Sequence, residues 1–317
     1  MDFLFVIDAP DSLKAYKDTS VAMMRAAQKR GHAVWVCEQE SLHWKNGRVS
    51  AAAHHIHLTD NDEDWYRPAP AEMRGAPRPL AGFSAVLMRK DPPFDLEYVS
   101  STWLLSAAVR EGARVFNAPD AVRDHNEKFA IAEFPQFTVP SLVSRDMGEL
   151  QAFIEEYKTT VLKRLDGMGG TGVFVVRHDD PNRNSIVETT SVLGTRSVMA
   201  QRYIPEIKEG DKRVLLIDGQ AVPHCLARIP KAGESRGNLA AGARGVAQPL
   251  TRRHQEIAAA LGPLLAKRGL LLVGLDVIGD YLTEVNVTSP TCFREIQDQT
   301  GFDVAGMFLD ALADKLQ

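Results

Sequence analysis

The chain has 317 residues, with 37 Lys/Arg against 41 Asp/Glu, a net charge of −4 and 44% hydrophobic residues. That balance excludes a disordered charged tail and a general polyanion binder, and ordinary glycine and proline content excludes collagen-like and low-complexity chains. Cys37, Cys225 and Cys292 lie far apart and are odd in number, which excludes a disulfide framework or a zinc knuckle and points to a reducing compartment.

The opening residues, Met1 to Asp8, have no basic n-region and bracket a five-residue apolar run with acids. They read as a buried strand rather than a signal peptide. Uncharged apolar stretches such as 257–266 fall well short of the ~18 residues that a membrane span needs. The expectation is a soluble, cytoplasmic protein. Residues 3–7 predict a strand, 20–30 a helix closed by Gly31 at C′, and 33–37 and Ala85–Met88 two more strands. A helix over 99–110 stopped at Gly112 and a strand over 114–116 follow. This alternation predicts a parallel sheet flanked by helices. The polar, proline-rich run 59–79 reads as a long surface excursion, and the strand holding His54, His55 and His57 as solvated, since no cysteine or carboxylate stands at zinc spacing.

A second unit begins near Asp124, where Asp124 and Glu127 fit a capping box for a helix running to Phe134 and stopped by Pro135. A helix over 148–157, a strand over 160–165, a glycine-rich turn and a strand over Val173–Arg177 come next. The last third predicts strands at 214–217, 221–229, 271–277 and 281–285, with helices Arg252–Lys267 and Val304–Leu316. The chain therefore divides into three lobes, 1–121, 122–200 and 201–317, with neither internal repeat nor flexible linker.

Three constellations carry chemistry. Gly167, Gly169 and Gly172 spell Gly-x-Gly-x-x-Gly, but Val-Phe-Val-Val follows, whereas a dinucleotide fingerprint must open a helix. A glycine loop between two antiparallel strands is instead a flap whose backbone N–H groups close over phosphates, with Lys163 reaching the same anion. Gly279-Asp280 turns the strands around Asp276 and Glu284 into a hairpin. Alternation then puts Glu284 and Asn286 on one face, and pairing can bring Asp276 beside them. These hard oxygen donors suit Mg²⁺ shared with nucleotide phosphates. Finally, 202–253 holds ten Lys/Arg and five Asp/Glu, with Tyr203 its only aromatic residue. Single-stranded nucleic acid would lack a stacking platform there, and Arg213, Arg228, Arg236 and Arg244 suit a pocket for a small polyanion. No Gly-x-Ser-x-Gly or Walker lysine appears, and Cys292 has no histidine partner, so it reads as structural.

These motifs, in this order, resemble the ATP-grasp superfamily. Met88-Arg89-Lys90-Asp91-Pro92-Pro93-Phe94-Asp95, Asn126-Glu127-Lys128, Leu165-Asp166-Gly167-Met168-Gly169-Gly170, Gly210-Asp211-Lys212-Arg213-Val214, Cys225-Leu226-Ala227-Arg228-Ile229-Pro230 and Thr283-Glu284-Val285-Asn286-Val287-Thr288-Ser289-Pro290 resemble the bacterial glutathione synthetase family over nearly the whole chain. The resemblance implies an α/β protein with α+β lobes, an N-terminal parallel α/β domain, a central lid and a C-terminal mixed-sheet domain. It also implies that ATP and γ-glutamylcysteine plus glycine give glutathione, ADP and phosphate through an acyl phosphate. By resemblance, ATP is held by Lys128, Lys163, Gly169, Gly170, Gln201, Tyr203, Ile204 and Asp211. Mg²⁺, or Mn²⁺ in its place, is held by Asp276, Glu284 and Asn286. Arg228 and Arg213 serve catalysis, while Arg89, Arg236 and Asn238 meet the peptide. Partners are small molecules, with neither nucleic acid nor membrane, and the family implies a homo-oligomer. A carboxylate–amine ligase for another peptide would keep the ATP residues and change the peptide pocket; a non-catalytic ATP-binding module would lose a metal ligand or flap lysine.

Overall fold

The computed structural model describes residues 1–68, 77–234, 236–239 and 242–317. The first sheet runs β6-β5-β2-β1-β8-β9, with β1 (Asp2–Ile7), β2 (Ala33–Glu38), β5 (His54–Leu58), β6 (Tyr66–Pro68), β8 (Ala85–Met88) and β9 (Val115–Phe116). Its four strands β2, β1, β8 and β9 are parallel, as the strand–helix alternation predicts, and β5 and β6 join antiparallel at one edge. A small second sheet, β3 (His43–Lys45), β4 (Arg48–Ala51) and β7 (Arg78–Pro79), lies beside it.

Alternation along β1 splits its side chains between two layers. Phe3, Phe5 and Ile7 pack with Val21 and Met24 of α1 (Thr19–Lys29) and Phe308 of α8 (Val304–Leu316). Leu4 and Val6 pack with Tyr98 and Leu105 of α2 (Leu96–Arg110). Asp18 caps α1 by accepting from the Val21 N–H at 2.8 Å. The α2 helix starts three residues before the sequence expectation because Asp95 caps it, accepting from the Tyr98 N–H at 2.9 Å. The polar run 59–79 lies in part, over 69–76, outside the described residues.

The capping box at Asp124 does not form. Pro119 opens α3 (Pro119–Asp124), which the buried Ala121 and Val122 anchor, and His125 ends it with its ring against the Ala121 carbonyl. Residues 129–133 and 135–137 then make separate 3-10 turns, the first held by Asn126 Oδ1, which accepts from the Lys128 and Phe129 N–H groups. Glu127 is thereby released to contact another part of the chain.

The central sheet is antiparallel, ordered β10-β13-β11-β12, from β10 (Ser141–Ser144), β11 (Thr159–Arg164), β12 (Val173–Arg177) and β13 (Val198–Arg202), backed by α4 (Met147–Tyr157) and α5 (Arg183–Ser191). It has its own core of seven buried residues, among them Leu150, Leu162 and Val198. The last sheet, β16-β15-β14-β17-β18, is antiparallel throughout. Its members are β14 (Asp211–Ile217), β15 (Gln220–Ile229), β16 (Arg244–Pro249), β17 (Leu272–Ile278) and β18 (Tyr281–Asn286), with α6 (Arg252–Lys267) and α7 (Phe293–Thr300) packed on it. Both clusters of the first sheet run on into this one, through Val214 and Leu275 on one side and Leu215 and Phe293 on the other. Among the described residues no helix is long and apolar enough to cross a membrane.

Candidate active site

A cleft opens between the central and last sheets, with a chamber of ≈ 950 Å³ and a slot of ≈ 710 Å³, mouths included. The flap is the β11–β12 hairpin. Its loop needs glycine because Gly169, Gly170 and Gly172 all have positive φ. Gly170 is constrained twice, since a Cβ there would stand 2.5 Å from Asn238 Oδ1. The flap thus closes against the loop that carries Arg236 and Asn238, between β15 and β16, of which Ser235, Ala240 and Ala241 lie outside the described residues.

The chamber is built on the β17–β18 hairpin. Asp276 faces Glu284 in register and Gly274 faces Asn286, so the three predicted donors share one face. A bulge at Thr283, between the Asp276–Glu284 and Val277–Leu282 pairs, shifts the register by one residue and so brings Glu284 rather than Thr283 opposite Asp276. Asp276 is buried and bound by two arginines: Arg213 Nε donates to Oδ1 at 2.5 Å, and Arg228 Nη2 lies 2.8 Å from Oδ2. Burial pushes this carboxyl up, but the two guanidinium groups outweigh it and hold it well below the usual carboxylate range. Arg228 Nη2 also donates to Asp211 Oδ2 at 2.6 Å. Burial raises Asp211 to about 7, with Asp276 and Glu284 adding to the rise against the pull of Arg228. Its Oδ1 is buried with no partner among the described residues.

Glu284 Oε1 lies 3.4 Å from Lys163 Nζ and 3.9 Å from Lys128 Nζ. Burial raises its carboxyl, but the two lysines prevail and lower it. Lys128 Nζ also donates to the Gly167 carbonyl at 2.5 Å, linking it to the flap. The slot is lined by Val161, Val175, Ile204, Ile207 and Ile278 together with Gln201, Tyr203 and Asp211, and Lys163, Asp276 and Glu284 also border it. The Tyr203 N–H donates to the Thr159 carbonyl, which fixes the strand at the slot's edge.

Among the described residues no three His, Cys, Asp or Glu side chains gather as a metal site. The donor set present is two carboxylates and one amide. Asn286 spends its Nδ2 on the Gly274 carbonyl at 3.1 Å, leaving Oδ1 as its remaining acceptor beside Glu284. All three donors are hard oxygens and fit Mg²⁺.

Of the predicted peptide residues, Arg236 and Asn238 border the slot, and Asn238 also borders the chamber. Arg89 is buried behind the cleft, donating from Nε to Ser20 Oγ at 3.1 Å and from Nη2 to the Pro290 carbonyl at 2.8 Å. Arg244, grouped with the pocket arginines by charge count, is exposed on β16 and borders neither cavity. Six polar residues outside the predicted site set line the chamber: Asp91, Glu127, Thr171, Thr288, Ser289 and Thr291. Asp91 and Glu127 stood inside quoted motifs, but no spacing rule joins segments so far apart. Cys292 is buried, and burial pushes its thiol up to about 11, which agrees with a structural role.

The fold matches that of D-cycloserine synthetase DcsG with a TM-score of 0.69 at 16% identity, covering 100% of both chains. The family models and the curated relatives make the chain an ATP-dependent carboxylate–amine ligase of the ATP-grasp type. Residues 1–123 match the prokaryotic glutathione synthetase N-terminal domain and 127–301 the prokaryotic glutathione synthetase ATP-grasp domain. The chain belongs to the prokaryotic glutathione synthetase family. It is 59% identical to the glutathione synthetase of Ralstonia nicotianae (98% of this chain, 95% of that one). It is 57% identical to that of Bordetella parapertussis (98% of each).

Proposed function

We propose that the chain joins γ-glutamylcysteine to glycine, converting ATP to ADP and phosphate, in the cytoplasm. The observation that carries this reading is the shared face of Asp276, Glu284 and Asn286 opposite Lys163 and the glycine flap. A carboxylate does not acylate an amine at neutral pH, because it is anionic and oxide leaves poorly. Its oxygen attacks the γ-phosphorus of ATP, ADP departs, and an acyl phosphate forms. The glycine amine then adds to the acyl carbon, phosphate leaves, and the amine loses its proton.

Mg²⁺ held by Asp276, Glu284 and Asn286 would neutralise phosphate charge during the transfer. Lys128 and Lys163 hold the phosphates beneath Gly169 and Gly170, and Arg213 fixes Asp276. The slot takes the adenine, with Gln201, Tyr203 and Ile204 along its edge. Asp211 Oδ1, the orphaned acceptor at the rim, takes a ribose hydroxyl. Arg228 donates to the oxyanion of the second step. Arg236 and Asn238 close over the peptide, and Arg89 holds the Pro290 loop against it. Contact between Gly170 and Asn238 shuts out water, which would otherwise hydrolyse the acyl phosphate.

The lobe bounds 1–121, 122–200 and 201–317 are supported by the separate core of the central sheet, although β13 runs across the second bound. Leu96 and Trp103, each more than half exposed on α2, support assembly into a homo-oligomer. The decisive experiment is product mass after incubation with ATP, γ-glutamylcysteine and glycine. Glutathione with stoichiometric ADP is expected; ADP appearing only with another peptide acid would sink the substrate assignment.

A further inference from the structure

β18 ends the five-stranded sheet, so the N–H groups on its outer side have no neighbouring strand among the described residues. Such an edge frays or pairs with something else unless it is covered. Here Glu127 covers it. Its backbone carbonyl accepts from the Val285 N–H at 2.8 Å. Its Oε1 accepts from the Val287 N–H at 2.9 Å, the Thr288 N–H at 3.0 Å and Thr288 Oγ1 at 2.8 Å. Three donors converging on one ionised oxygen make charge-assisted bonds, stronger than neutral ones. Val285 and Val287 bracket Asn286, and Val285 follows Glu284 directly. Holding the N–H groups of these alternate residues therefore sets the twist and depth at which both oxygen-bearing side chains stand.

The next residue, Lys128, reaches Glu284 and the flap carbonyl of Gly167 from the same backbone segment. We infer that Glu127 is a positioning residue: it clamps the outer edge of β18 so that Glu284 and Asn286 keep the spacing that a divalent cation requires. The inference rests on the metal reading given under Proposed function. Outer-shell partners of this kind typically change metal affinity by about 10–100-fold.

The test uses the full chain with Mn²⁺ as probe, its free concentration read by electron paramagnetic resonance beside a non-hydrolysable ATP analogue. Affinity for the analogue in chelator is measured separately. Glu127→Ala should weaken Mn²⁺ binding by about 10–100-fold while metal-free nucleotide affinity stays put. Glu127→Gln, whose amide oxygen still accepts but without charge, should fall between that variant and the parent. Parental Mn²⁺ affinity in Glu127→Ala overturns the inference, as does an equal loss of metal-free nucleotide binding, which marks general damage. If the alanine variant does not fold, Glu127→Gln decides, and unchanged Mn²⁺ affinity there refutes the clamp. A parent protein that retains no Mn²⁺ beside the analogue overturns the metal reading itself, a result distinct from failure in the variants alone.

Discussion

The two walls of the cleft are stabilised differently. The lid wall, β10 to β13, rests on seven buried residues of its own and meets the body's cluster only through Met199, Val143 and Leu165 among the described residues. The opposite wall shares two continuous clusters with the N-terminal sheet. Below the clusters it also carries a buried ionic lattice of Arg213, Asp276, Arg228 and Asp211. A small separate core lets one wall open locally while the other holds the reacting groups in fixed geometry. The body supplies preorganised charge and the lid supplies closure.

The largest effect should come from Asp276→Ala, which strands the buried Arg213 guanidinium and leaves Arg228 with Asp211 alone. Loss of one partner of a buried pair costs about 3–5 kcal/mol, so denaturant unfolding should show the body weakened by that amount. A loss no larger than that of an ordinary surface variant would break the contrast. Next, Arg228→Lys keeps the charge but cannot span Asp211 and Asp276 together. Turnover should fall by about 10²–10³ with the KM for ATP little changed, and an equal rise in that KM would move Arg228 from chemistry to nucleotide binding. Leu162→Ala in the lid core should cost about 2–5 kcal/mol locally. Hydrogen exchange should accelerate in β11 and β12 and not in β14 or β17; uniform acceleration would show that the walls unfold as one.

The smallest effect concerns α6, whose capping box uses His254 Nδ1 as an acceptor for the Thr251 N–H at 3.3 Å. Burial, then Lys212, lowers its pKa below the ordinary ~6.5. The folded state therefore binds this proton less readily than the unfolded chain. The contribution is fully present above ~6.5 and is lost as pH falls through the lower folded value. His254→Gln should flatten the dependence of stability on pH between pH 7 and 5, read from melting curves.

Legibility in the sequence followed locality. Val173–Arg177, Arg252–Lys267 and Val304–Leu316 have bounds that periodicity and caps alone predict, and the flap follows from four glycines between β-branched runs. The β17–β18 hairpin was readable from its two-residue turn, but the Asp276–Glu284 pairing was not, since that turn alone would set Asp276 opposite Thr283 and the bulge moves the register by one. What escaped depends on distant partners. β10, β13 and β16 lack a clear alternation and exist because neighbouring strands pair with them. The Asp124 capping box failed because Asn126, rather than Asp124, satisfied the next turn's N–H groups. Glu127 could then reach residues some 160 positions away, a contact no local rule encodes. Arg244 shows the limit of charge counting, since composition says how many cations a segment holds and not which way they face.

The family's ATP-grasp region ends at residue 301, yet α8 beyond it contributes Phe308, Leu309 and Leu312 to the cluster that underlies β1. Trimming the gene at that boundary would therefore unroof the opposite end of the molecule. A lobe-swapped chimera in this family must carry its carboxyl-terminal helix together with the first hundred or so residues of the same parent.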